Sequence, residues 1–132
     1  MNAKLYLTIA SVIAVLYGIA FVLIPAQMLQ PYDVSPEPHV ILTLRLLGSA
    51  FIGFGLMLWF AREFQDWAAV RGILISAAIA DAIGGLIIAW GTMQGTVNGL
   101  GWSNVVLYAL LVIGALYCLS AGSRTAALTP LR

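Results

Sequence analysis

The sequence predicts an all-α integral membrane protein, an antiparallel four-helix bundle. Three observations carry that prediction. Hydrophobic residues make up 62% of the 132 positions and charged residues 8%, against about 45–50% and about 25% in soluble domains. Four stretches are long enough to cross a bilayer, which takes about 20 mostly apolar residues for roughly 30 Å of hydrocarbon. These runs are continuous rather than alternating, which excludes a membrane β-barrel and leaves helices to satisfy the backbone in lipid.

Span one runs from Leu5 to Ile24 without a charge. Its apolar run exceeds the usual 7–15 residues of a signal peptide and no small-x-small cleavage site follows, so it reads as a retained helix. The connection from Pro25 to Pro38 comes next. Pro25 and Pro31 limit any helix between them to a turn or two. Met28, Leu29 and Tyr32 are expected on the lipid surface, and Ser35 with Pro36 reads as the cap and first turn of the next helix. Span two runs from His39 to Phe60 and holds Arg45; span three runs from Ala69 to Trp90 and holds Asp81. The break after span three falls between Gly91 and Gly101, where Gly, Thr, Gln and Asn replace apolar residues. Span four runs from Trp102 to Ala121. Short connections make neighbouring spans antiparallel, within a single domain covering 1–132.

Orientation follows the lysines and arginines. Lys4, Arg62, Arg71, Arg124 and Arg132 fall on one side of four crossings, and neither connection on the other side holds a Lys or Arg. Both termini are therefore expected in the cytoplasm. Trp59 and Trp67 mark the inner boundary, Trp90 and Trp102 the outer one.

Helices in lipid associate through small residues, and every span carries some. Span one has Ala10, Ala14 and Gly18. Span two has Gly48, Ser49, Gly53 and Gly55. Span three has Ala77, Ala80, Gly84 and Gly85, and span four has Gly114, Cys118 and Gly122. Within this set Gly18, Gly48, Gly53, Gly84, Gly85 and Gly114 are the expected packing glycines.

Arg45 and Asp81 stand out, because a charge at the centre of a span costs about 2.5–3.5 kcal/mol on insertion scales. Folding span two back on span three sets residue 45 opposite about residue 84, and Asp81 is then only roughly 4–5 Å away along the axis. Each shares its face with small residues, so an ion pair inside the bundle is expected. Such a pair either fixes which helices are neighbours or marks a functional site. Tyr17, Ser49, Asn104 and Tyr108 fall at similar depth. With Arg45 and Asp81 they are expected to line a pocket opening outward, unless Tyr17 and Tyr108 face lipid separately.

The composition also excludes function classes. A formal net charge of +1 offers no basic face for nucleic acid. One cysteine excludes an internal disulfide or thiolate zinc site, and the lone His39 reads as an interfacial residue. Nothing in the sequence indicates a metal, haem or nucleotide, and no catalytic set is legible. LYGIAFVLIP at the end of span one, the PYDV loop and LRLLGSAFIGFGLMLWFAR in span two resemble a group of small bacterial four-span proteins that are DoxX-like. The likeness covers about residues 15–120. It implies a bacterial plasma membrane and a four-helix bundle. Some members of that group are linked to quinone-dependent redox or act as accessory subunits, but no catalytic residue set transfers.

Three functions remain open. One is an accessory or binding protein that sits among membrane lipids and holds a lipophilic molecule or a larger membrane complex. The second is a small transporter working as a homo-oligomer, although span one lacks the membrane-embedded glutamate of small multidrug transporters. The third is a membrane enzyme acting on a quinone or lipid.

Overall fold

A computed structural model describes the backbone of residues 2–127 and the side chains of residues 2–122. Arg132 and the side chain of Arg124, used above for orientation, lie outside the described residues. The chain forms α1 (Ala3–Leu23), α2 (Pro25–Leu29), a 3-10 turn (Gln30–Tyr32), α3 (Pro38–Ala61), α4 (Trp67–Met93) and α5 (Gly101–Ala127). Four of these helices are long and apolar enough to cross a membrane, and they match the expected spans closely.

Local chemistry sets the ends. Asn2 caps α1 by accepting from the Leu5 amide at 2.8 Å, and Asp66 caps α4 by accepting from Ala68 at 3.0 Å. The α3 helix starts on Pro38 with Glu37 at the cap, two residues past the expected Ser35–Pro36 start. A proline suits the first helical position because its missing N–H has no partner to lose there. The end of α4 is closed by two reverse bonds, Thr96 N–H to Gly91 O at 2.9 Å and Gly95 N–H to Thr92 O at 3.2 Å. Gly95 sits at φ +72°, the left-handed residue that this type of helix ending requires. Gly91 therefore belongs to α4 rather than to the connection.

The helices pair as two antiparallel hairpins, α1 with α3 and α4 with α5. In the first, a Cβ on Gly18 would lie 2.7 Å from the Gly48 carbonyl oxygen, and a Cβ on Gly48 would lie 2.7 Å from that of Gly18. Two turns along, the buried Ser11 hydroxyl donates to the Gly55 carbonyl at 2.7 Å. Contact between backbones is what holds helices together where water supplies no driving force. Gly53, expected at this seam, is exposed with nothing within 4 Å of its Cβ direction. The seam repeats at the seven-residue spacing of Gly48 and Gly55, and Gly53 falls off that row.

The hairpins meet mainly through α1 and α5, whereas α3 and α4, although consecutive, hardly touch. One end of the bundle is a dry core built from all four long helices, including Leu7, Leu58, Leu74, Ala115 and Cys118. Lys4 and Glu63 pair across that end at 3.2 Å. The other end is held by the two longer connections. The Asn98 amide group donates to Pro31 O at 2.8 Å and to the Asp33 carboxylate at 2.9 Å, and the Asn98 N–H donates to Tyr32 O at 3.3 Å.

Candidate functional site

Between the dry core and the clasped loops lies a cavity of about 330 Å³ to which α1, α3, α4 and α5 all contribute. On α1 the row Ala10, Ala14, Tyr17 and Phe21 faces it, the 3–4 spacing of one helix face. Leu47, Phe51 and Phe54 form the corresponding row on α3. Asp81, Gly84 and Ile88 line it from α4, and Asn104, Tyr108 and Leu111 from α5. Four of the expected cluster, Asp81, Tyr17, Asn104 and Tyr108, thus surround one space.

Asp81 is 9% exposed, and among the described residues no hydrogen bond or ion pair reaches its carboxylate. One turn further along α4, Gly84 and Gly85 leave room for a tyrosine. A Cβ on Gly84 would lie 3.0 Å from the Tyr108 ring, and one on Gly85 3.2 Å from the Tyr108 Cβ. These two glycines therefore do serve packing, by seating Tyr108 beside the cavity. Gly114 is buried. The aromatic wall is continuous: Tyr17 meets Phe21 edge-on at 5.9 Å, and Phe21 stacks on Phe51 at 5.8 Å.

Arg45 and Ser49 are not part of this site. Arg45 is exposed and makes no ion pair with Asp81, and the expected pair is not formed. The reason is geometric. At 100° per residue, Arg45 stands about 150° around α3 from the row Leu47, Phe51, Phe54. The expected pair also needed α3 against α4, and those helices hardly touch. Ser49 is exposed and its hydroxyl donates to Leu46 O of its own helix at 2.8 Å.

The loops also differ from expectation. Leu29 is buried rather than on a lipid surface. Tyr32 is half-buried, and its hydroxyl accepts a hydrogen bond from the Asn104 side-chain amide at 2.7 Å. The cavity is therefore bridged at its loop end instead of opening there. Its mouth is lateral. Leu47 of α3 and Ile87 of α4 line it while being 42% and 68% exposed, so the space continues into the gap between those helices. His39 stands clear of the cavity, exposed beside Glu37 at 3.5 Å.

Sequence reasoning missed Tyr6 and Ser11. Tyr6 is buried in the dry core, within electrostatic reach of Asp81, and among the described residues its hydroxyl has no hydrogen-bond partner. The available signal was its spacing, since Tyr6 lies four residues before Ala10 on the cavity face of α1. Compared with known proteins, the chain matches no family model, no curated protein and no solved structure.

Proposed function

We propose that this is a multi-pass protein of the bacterial plasma membrane that holds a lipophilic molecule between its two hairpins, with both termini in the cytoplasm. The observation that carries the reading is Asp81, a buried carboxylate without a partner among the described residues, facing a cavity walled by aromatic and aliphatic side chains. A charged side chain within a span is expensive and is a functional-site candidate by default. Its volume falls at the lower end of the range for small-molecule sites, about 300–1,000 Å³, and such sites combine apolar walls with a few placed polar groups. The lateral mouth suits a ligand that arrives from the bilayer. The resemblance to DoxX-like proteins agrees with a bacterial membrane setting, and the lack of a lysine or arginine in either connection at the loop end supports the orientation.

The test is mild extraction followed by mass spectrometry of what remains bound, for the native protein and for Ala14→Phe, which fills the cavity from α1. The reading expects a lipophilic species in fixed proportion to the native protein and its loss from the variant, with surrounding lipid unchanged. Identical lipid extracts from the two folded proteins would overturn it.

A further inference from the structure

Resting on that reading of the cavity, we infer that the molecule held is a lipophilic cation: an amine or quaternary ammonium group on an apolar body. The charge requirement comes from Asp81. Its carboxylate borders the cavity, and no cation among the described residues answers it. Arg45 points away on the other side of α3. Lys4 and Arg62 both pair with Glu63, at 3.2 and 3.3 Å. Arg71 lies on α4 about 15 Å along the axis from Asp81. A carboxylate in a low-dielectric site is stabilised by an opposite charge or by hydrogen bonds, and the described residues supply neither.

The aromatic wall narrows the class. Tyr17, Phe21, Phe51, Phe54 and Tyr108 border the same space. Ring faces attract a cation within about 6 Å of their centroids, more strongly once it is desolvated, and quaternary ammonium groups are bound elsewhere in cages of this kind. An acid meets a cavity whose buried charge has its own sign. A neutral alcohol or ketone gains nothing from the rings beyond contact. The cavity accommodates a head group and the first part of a chain, and the α3–α4 gap lets the rest continue into lipid.

Three probes built on ten-carbon chains separate the possibilities: decyltrimethylammonium, decanol and decanoate. Each is titrated against the full chain in nanodiscs of zwitterionic lipid, with binding to empty nanodiscs subtracted. The expected result is saturable binding of the ammonium at least about tenfold tighter than decanol. Asp81→Asn removes that preference, and Asp81→Glu keeps it. The native protein alone discriminates among the three head groups, so the result does not depend on how well a variant folds. Equal binding of ammonium and decanol, or tighter binding of decanoate, overturns the cation while leaving a lipophilic site in place. Saturable binding of none of the probes overturns both.

Discussion

At the scale of single residues, burial of an unpartnered group is the most informative feature. Tyr17, Asn104 and Tyr108 were legible with Asp81 because polar side chains at one depth of apolar helices attract attention wherever they point. Arg45 was equally visible but was placed wrongly. Helical spacing tells which residues share a face, not which helix that face meets. The same limit explains the glycines. Gly48 and Gly53 look alike in the sequence, yet only Gly48 touches another backbone. Gly48→Ala must push α1 and α3 apart and should destabilise the protein by about 1–3 kcal/mol, the usual range for overpacking. Gly53→Ala meets open space and should be neutral or slightly stabilising, since alanine is the better helix former. Reversible unfolding in mixed micelles compares the two, and equal losses would show that the seam does not run through Gly48.

At the scale of elements, the helices were readable to within a few residues because apolar length and the charge-free runs define them. Their pairing was not. Short connections predict antiparallel neighbours for every consecutive pair, but α3 and α4 separate because the glycine seam commits α3 to α1 while Tyr108 on Gly84 and Gly85 commits α4 to α5. The clasp between the loops was also hidden, since Asn98 and Asp33 are 65 positions apart. Asn98→Ala removes bonds to Pro31 and Asp33 together. Hydrogen exchange should quicken in residues 30–34 and 96–100 while the dry core stays protected, and unchanged exchange there would mean that the clasp does not hold the loops. The α4 ending gives a second expectation. Gly95→Ala forces a side chain into a left-handed residue at about 1–2 kcal/mol, whereas Gly99→Ala meets nothing within 4 Å and should cost far less in the same unfolding measurement.

At the scale of the whole molecule, the design is a bundle tied at both ends and open between. The core around Leu7, Leu58 and Leu74 closes one end, the Asn98 and Tyr32 contacts close the other, and the space between them reaches the α3–α4 gap. Composition foretold the membrane and the bundle. It was silent on the gap, which arises from helix pairing rather than from any local pattern. Orientation has its own check. A cysteine at Glu37 should react with a membrane-impermeant thiol reagent added to intact cells, and one at Glu63 should not, with Cys118 shielded in the core; the reverse pattern would invert the topology.

Occupation of the cavity is tested most directly by photolabelling the native protein in nanodiscs with a decanol that carries a diazirine near its hydroxyl, followed by peptide mapping. Labels that map to Phe51, Ile88 and Leu107 and disappear under excess plain decanol are the predicted result. Labels spread over lipid-facing positions such as Leu86, Leu110 and Leu116, with no loss under competition, would contradict it.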